Sequence, residues 1–548
     1  MRTTWPATAG GSPSTDFKEA HVSQTRSVLL LNGFMGSGKS TVGRLVAERA
    51  AVPFVDLDDV VVARAGKSIP EIFASEGEPA FRRMEAEALT SLLAASGPRV
   101  IALGGGVLVD RDLRRRALES ARIVTLTATP ETTLARTSGS ARPLLESPDR
   151  LVRIRQLLEA RADAYAETHA AIATDALSVE AVADAVLSAW SSDGMVVPLG
   201  TRSYLVRFVA GAPGVVASMV ADLRPSKVFV MTDENVQRLW GAGLSEALAA
   251  RGLGPRATVV VPPGEEHKRL ATVERALATM VEAGADRDAV VVGHGGGVVT
   301  DMAGFAAALL LRGVRWVAVP TTLLAMVDAS VGGKTGVDLG PAKNAVGAFH
   351  QPSGVVVDVG HVATETERAF RSGLAEVVKS AAIGDPALFE QLESRAAEVA
   401  RRALPLTQEI VQRSVAVKAA IVARDERESG DRALLNFGHT VGHALEAEGG
   451  YTRLTHGEAV SLGMVAALRV GVALGVTDAP LAERTIALLS RLGLPTDLDA
   501  QPLRAALPLV GLDKKRRGGA IRFVLLRALG EAILRPIAPD ALEQLLLG

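Results

Sequence analysis

Short apolar runs that end at glycine or at an acidic residue alternate with stretches of helical periodicity through the first two thirds of the chain. Val28-Leu-Leu-Leu-Asn32 runs into Gly33, Phe54-Val-Asp56 ends among carboxylates, and Val100-Ile-Ala-Leu103 opens into Gly104-Gly105-Gly106. Runs this short, bounded by turn signals, predict buried strands, and the longer mixed stretches between them, such as 42–49, predict helices. A closing helix ahead of Ser191-Ser-Asp-Gly194 marks a boundary, and strand-like material resumes at Val196. Further apolar runs fall at 227–232, 257–261, 289–292, 316–319 and 355–357, with helical stretches at 246–251 and 270–283 between them. From Glu365 onward the period is helical. Strands alternating with helices predict parallel α/β sheets. The pattern therefore predicts an α/β domain over 27–193, a second over 194–364 and a mainly α-helical domain over 365–548, with no internal repeat. Residues 1–26, rich in Thr, Ser and Gly, read as a flexible tail.

Composition narrows the function classes. A chain of 548 residues needs several cores, and 48% hydrophobic with only 4% aromatic residues supplies them from aliphatic side chains. The formal net charge of −1 gives no global field to attract nucleic acid. Lys514-Lys-Arg-Arg517 is a local basic run, but without interleaved aromatics it is a weak sign of a nucleic-acid partner, and none is expected. The absence of cysteine excludes disulfides and thiolate chemistry, leaves His, Asp and Glu as metal ligands, and fits a cytoplasmic protein. The first 26 residues lack the apolar core of a secretory signal. No apolar run reaches the roughly 20 residues that span a bilayer, so no membrane association is expected.

Gly33-Phe-Met-Gly-Ser-Gly-Lys39-Ser40-Thr41 matches G-x-x-x-x-G-K-S between a strand and a helix, the context that makes this motif informative. Gly33, Gly36 and Gly38 let backbone N–H groups close around phosphate, Lys39 reaches the outer phosphates, Ser40 can hold Mg2+, and Thr41 continues into the helix. A chance glycine-rich turn is the rival reading, and the strand before and helix after count against it. Asp56 and Asp58 end the second strand, where doubly wound sheets bind ligands. Phe81-Arg82-Arg83-Met84-Glu85, the Gly104–Gly106 turn, Arg142 in a Ser/Gly/Pro-rich segment and Arg161 follow in that order. Over about 26–193 the segment resembles shikimate kinase. The resemblance implies that Asp58 orients the attacking hydroxyl, that Arg82, Arg161 and the turn Gly104, Gly105, Gly106 hold shikimate, and that Arg142 closes over the transferring phosphate of ATP. It also implies that Arg136 flanks adenine and that Ser40 with Asp56 serves Mg2+. A gluconate kinase is the nearest alternative.

In the second half, Gly293-His-Gly295-Gly296-Gly297 follows a strand and opens a helix, allowing a pyrophosphate to approach the backbone, although it is not the G-x-G-x-x-G fingerprint. Asp233, Glu265, Lys268, Thr321 and Thr322 end other strands. Asp328, Lys334, Lys343 and Asn344 concentrate anion-binding groups on what reads as a loop. His439 and His443 stand at helical spacing and His456 follows a Gly-Gly turn, so the three could share a metal or a substrate, or simply be satisfied histidines. Thr440 replaces the Glu of His-Glu-x-x-His, which disfavours a peptidase.

From about residue 195 these motifs resemble 3-dehydroquinate synthase in order. The resemblance implies Zn2+ or Co2+ on Glu376, His439 and His456, with His443 catalytic together with Asp328, Lys334, Lys418 and Glu428. It places NAD on Asp233, Glu265, Lys268, Gly296, Gly297, Asp301, Thr321, Thr322, Lys343 and Thr364. It assigns substrate to Arg312, Lys334, Asn344, Arg432, Asn436 and Lys514, a cationic set suited to a phosphate and a carboxylate, and leaves His294 as a loop residue. The implied reaction converts 3-deoxy-D-arabino-heptulosonate 7-phosphate to 3-dehydroquinate and phosphate by transient oxidation, elimination, hydride return and aldol closure. A homodimer through this half is also implied. A glycerol dehydrogenase-like polyol dehydrogenase, or a non-catalytic nucleotide-sensing scaffold, is the alternative. The synthase product is not the kinase substrate, so the halves are expected to work independently.

Overall fold

The structure is a computed structural model describing residues 27–138, 143–145, 147–340, 342–428, 430–510 and 520–547. The chain divides into two compact units, Met1–Ser192 and Asp193–Gly548. In the first, strands β1 (Val28–Asn32), β2 (Phe54–Asp56), β3 (Arg99–Ala102), β4 (Arg122–Thr127) and β5 (Ala170–Ala173) form a parallel sheet in the order β2-β3-β1-β4-β5. β1 is buried along its whole length, as a strand covered by helices on both faces requires. Its Leu30 lies in register with Ile101 and Ile123. Val42 and Val46 of the helix Lys39–Arg49 and Val182 and Val186 of the helix Val179–Ser191 close one core against Leu29, Leu31 and Val124.

The second unit is built on seven strands in the order β6-β7-β14-β11-β10-β8-β9. These are β6 (Met195–Val197), β7 (Tyr204–Val209), β8 (Val228–Asp233), β9 (Ala257–Val261), β10 (Val290–Gly295), β11 (Arg315–Pro320) and β14 (Gly354–Asp358). All pair in parallel except β6, which runs antiparallel to β7. Sequence order runs outward from β8 to β9 and then the other way from β10 to β11. The reversal lies between β8 and β10, and ligands of open α/β sheets bind beyond the carboxyl ends of strands at such a point. Asp233 and the Gly295–Gly297 turn sit there.

Three features depart from the pattern-based reading. The segment carrying Lys334, Lys343 and Asn344 is an antiparallel hairpin, β12 (Lys334–Leu339) with β13 (Ala342–Phe349). The last third is mainly helical but ends in a second hairpin, β15 (Ile521–Ala528) with β16 (Glu531–Ile537), whose Phe523 and Leu525 join the main core. Apolar runs of that length do not distinguish strand from helix by period. His294 lies within β10 rather than in the loop, buried, with Nε2 3.3 Å from Nε2 of His361.

Candidate functional site

In the first unit the carboxyl end of β1 turns through three glycines with positive φ, Gly33 (132°), Gly36 (80°) and Gly38 (95°). A Cβ on Gly33 would fall 2.2 Å from the Leu126 carbonyl oxygen. Only glycine allows this path. Lys39 folds back over the loop, donating to the Gly33 and Phe34 carbonyls at 2.8 and 3.0 Å. Ser40 Oγ donates to Asp56 Oδ2 at 2.6 Å, bringing together two groups suited to a divalent cation, and Thr41 follows exposed on the helix. Arg136 donates to the Thr174 side chain and carbonyl at 2.9 Å and reaches the Gly36 carbonyl at 3.5 Å.

The Gly104–Gly106 turn beyond β3 is the floor on which the remaining residues converge. A Cβ on Gly104 would lie 2.2 Å from Glu85 Oε1 and 3.1 Å from Asp58 Oδ1, and one on Gly106 would lie 2.7 Å from the Arg82 guanidinium. Arg161 Nη1 and the Tyr165 hydroxyl both donate to the Gly105 carbonyl, at 2.9 and 2.6 Å. Arg82 is held by Glu78 at 2.8 Å and by buried Glu85 at 2.6 Å. Burial raises the Glu85 carboxyl to about 7, and the Arg82 charge only partly opposes it. The sequence reading did not assign Glu85 or Tyr165 to the site. The signal for Glu85 was its position three residues after Arg82 on one helix face. Arg142 lies outside the described residues.

In the second unit, Gly296 and Gly297 start the helix Gly297–Leu309, whose free N–H groups and dipole favour an anion. The Thr321 N–H donates to the Gly295 carbonyl at 3.0 Å, and Thr322 stands beside Gly296. Asp233 Oδ1 accepts from the N–H groups of Asn235 and Val236 at 2.9 and 3.0 Å. Thr364 Oγ1 accepts from the Trp240 indole at 3.2 Å. Lys268, buried, donates to Asp301 at 2.7 Å and to Asn344 at 2.5 Å, with Glu265 at 4.0 Å. Lys343 lies 3.7 Å from the same Glu265.

A cleft of about 530 Å³ opens alongside, lined among others by Asp301, Asp328, Lys334, Asn344, Lys418 and Arg432. Asp328 sits on a π-helical turn, Ala325–Ala329, a local widening that recurs at functional sites. Burial acts to raise its carboxyl, but the Lys418 and Lys379 ammoniums outweigh it and hold Asp328 well below the usual range. Burial in turn lowers Lys418, which donates to the Asp328 carbonyl at 2.5 Å. Lys334 pairs with Glu428, which also accepts from Asn436 at 3.0 Å. Arg432 donates to the Gly332 carbonyl at 3.1 Å. Asn344 and Glu428 hold positive φ of 51° and 60°. For Glu428 this is strain of the kind that clusters at ligand sites.

At one side of the cleft, Glu376 of the helix Glu367–Gly384, His439 at the start of the helix His439–Glu448 and His456 at the start of the helix His456–Ala473 converge. Both imidazole Nε2 atoms stand 3.5 Å from Glu376 Oε1. Ligands about 2.05 Å from a tetrahedral Zn2+ lie about 3.3 Å apart. Glu376 Oε1 is buried and, among the described residues, accepts no well-formed hydrogen bond. His439 Nδ1 faces the Phe437 carbonyl at 3.2 Å, so it carries the proton and leaves Nε2 its lone pair. The donor set and the orphaned carboxylate oxygen thus fit a divalent metal. His443, solvent-exposed, sets its ring 5.1 Å from that of His439 and 5.8 Å from that of His456. Lys379 and Glu446, which no sequence assignment covered, are buried beside the cluster, Lys379 paired with Glu376 and Glu446 with His456. One assigned residue is not brought together with the rest: Arg312 is exposed near the amino end of β11, opposite the glycine turns. Lys514 lies outside the described residues.

Among the described residues no helix is long and apolar enough to cross a membrane. Family models match three stretches: shikimate kinase over 35–191, the 3-dehydroquinate synthase N-terminal domain over 258–372 and its C-terminal domain over 373–516. The 3-dehydroquinate synthase of Halorhodospira halophila is 46% identical over 355 residues, covering 64% of this chain and 98% of its own length. That of Ruegeria sp. is 45% identical over 351 residues, covering 63% and 94%. A solved 2-epi-5-epi-valiolone synthase from Streptomyces hygroscopicus, with NAD+ and Zn2+ bound, is 30% identical, covers 63% of this chain and 96% of its own, and superposes with a TM-score of 0.57.

Proposed function

The chain belongs to the shikimate kinase family in its first unit and to the 3-dehydroquinate synthase family in its second, a bifunctional enzyme of the shikimate pathway, and from that premise we propose its reactions. The first unit transfers the γ-phosphoryl group of ATP to the 3-hydroxyl of shikimate. The second converts 3-deoxy-D-arabino-heptulosonate 7-phosphate to 3-dehydroquinate and phosphate. The observation that carries the second reading is the convergence of Glu376, His439 and His456 on one point at the side of a cationic cleft.

In the kinase, Ser40 and Asp56 hold Mg2+, the 33–38 loop and Lys39 cradle the phosphates, and Arg136 flanks the adenine. Asp58 orients the attacking hydroxyl over the Gly104–Gly106 floor, while Arg82 and Arg161 hold the substrate carboxylate with planar forks. Arg142 closes over the transferring group. In the synthase, a Zn2+ or Co2+ ion on the three ligands would polarise the substrate hydroxyl, and NAD on the β8–β10 crevice would take up and return a hydride. NAD is held by Asp233, Gly296, Gly297, Thr321, Thr322 and Thr364 and by the Glu265, Lys268, Asp301 and Lys343 network. Lys334, Asn344, Arg432, Asn436 and Lys514 orient the phosphate and carboxylate of the substrate. Asp328, Lys418, Glu428 and His443 line the place where protons must move. A polyol dehydrogenase would have no use for this number of cations around its substrate. The cytoplasm and a homodimer through the synthase unit belong to the same reading.

Replacing His439 with Ala tests the proposal. The variant should lose stoichiometric metal and phosphate release while shikimate-dependent ADP formation persists. Retention of stoichiometric metal would overturn the ligand assignment.

A further inference from the structure

Glu446 lies on the same helix as His439 and His443, seven residues after the first and three after the second, so it shares their face. Its side chain is almost fully buried, with only 2% of its surface exposed, and both oxygens are used. Oε2 is 3.2 Å from His456 Nδ1, and Oε1 accepts from Lys343 Nζ at 3.2 Å. Lys343 is also placed from below, its ammonium 4.7 Å from the centre of the Tyr451 ring. The Tyr451 N–H in turn donates to the Glu446 carbonyl at 2.8 Å. A carboxylate paired with an ammonium only accepts, so His456 Nδ1 carries a proton, which leaves Nε2, facing Glu376, as the atom available to a metal.

We propose that Glu446 is a positioning residue for the metal centre: it fixes the tautomer and ring orientation of His456 and ties that ring to Lys343 on β13. The inference rests on the reading of Glu376, His439 and His456 as metal ligands. The two imidazoles are oriented by unlike acceptors. His439 is held by a backbone carbonyl two residues away, in the short link just ahead of its own helix. His456 is held by a side chain shared with a lysine 103 residues earlier in the chain, on the strand that also carries Asn344. The geometry of one ligand is therefore coupled to the position of β13, and β13 to the metal. If Glu446 were merely the counter-charge of Lys343, the metal would not sense its replacement.

The test uses the full chain, stripped of metal, and measures Zn2+ affinity by competition with a chromophoric chelator and the visible ligand-field bands after Co2+ loading. E446Q removes the charge at almost constant shape, and E446D keeps the charge but retracts it by one methylene. Both should weaken Zn2+ binding by about 10- to 100-fold, the usual cost of losing such an outer partner, and shift the Co2+ bands. Circular dichroism identifies a variant that has not folded, and the other then carries the test. If both variants fold and bind Zn2+ within about twofold of the parent with an unchanged Co2+ spectrum, while H439A loses its metal, the role of Glu446 is refuted and the ligand assignment stands. If H439A keeps stoichiometric Zn2+, the ligand assignment fails and this inference with it.

Discussion

Glu85 shows how much of a site depends on a side chain that carries no motif of its own. Its carboxyl is raised to about 7 because it is buried beneath the Gly104 turn, and Arg82 only partly restores the charge. Folding therefore favours its protonated form: the stabilisation is full below about pH 4.5 and is lost as pH rises through about 7. E85Q should flatten that part of the stability curve of the first unit, and should raise KM for shikimate above pH 7 because Arg82 loses a partner. Thermal melts from pH 5 to 8 and KM at the same values check this, and an unchanged pH slope would contradict it. Lys39, Asp58, His439 and His456 stood out in the sequence as candidates because residue type and local spacing set them at a glycine loop, at a strand end and near one another. Glu446 and Lys379 did not, because their meaning depends on Lys343 and on the depth of a helix, which only the fold supplies.

Backbone contacts between helices bring the three candidate ligands to one point. A Cβ on Gly463 would lie 1.8 Å from the Gly438 carbonyl oxygen, and one on Gly457 would lie 1.9 Å from that of Ser372. The helix His456–Ala473 thus meets both its neighbours without a side chain between. G463A should cost about 1–3 kcal/mol through overpacking and weaken Zn2+ binding by displacing His456 from His439, which unfolding and metal titration would register. An unchanged melting temperature would show that the helices can part freely. The buried pair His294 and His361 sets a second expectation. Burial, and then the neighbouring ring, lowers His294 to about 3. The unfolded chain takes up this proton below about pH 6.5 and the folded unit does not, so stability falls as pH drops from about 6.5 toward 3. H294L should show a shallower loss between pH 7 and 5, and an equal slope would exclude the pair as its source. This pairing was invisible in the sequence, since its partners stand 67 residues apart on adjoining segments. The parallel strands β1, β2, β3, β8, β9, β10, β11 and β14 were legible as short apolar runs that end at turn signals, whereas β4, β5 and β7, which carry or border polar residues, were not. The two hairpins were not, because one is partly polar and exposed and the other carries its continuous apolar run, Phe523–Leu526, inside a third of the chain whose period is otherwise helical.

The two units have separate cores and separate candidate sites. In the proposed reactions the synthase product must be dehydrated and reduced before it becomes shikimate, so nothing passes directly between the sites. Expressed separately as 27–192 and 193–548, each unit should keep its rate to within about tenfold, or about 1.4 kcal/mol. A larger loss in a folded unit would show energetic coupling. In the proposed function the second unit is a metal-dependent synthase rather than a dehydrogenase. The most direct test is to give the intact chain the heptulosonate phosphate and follow phosphate release and NADH together, before chelation, after it and after Zn2+ is returned. A metal-dependent synthase releases one phosphate per substrate consumed with no net NADH, an activity lost on chelation and restored by stoichiometric Zn2+. Accumulation of NADH without phosphate, or phosphate release that survives complete removal of metal, would contradict this reading.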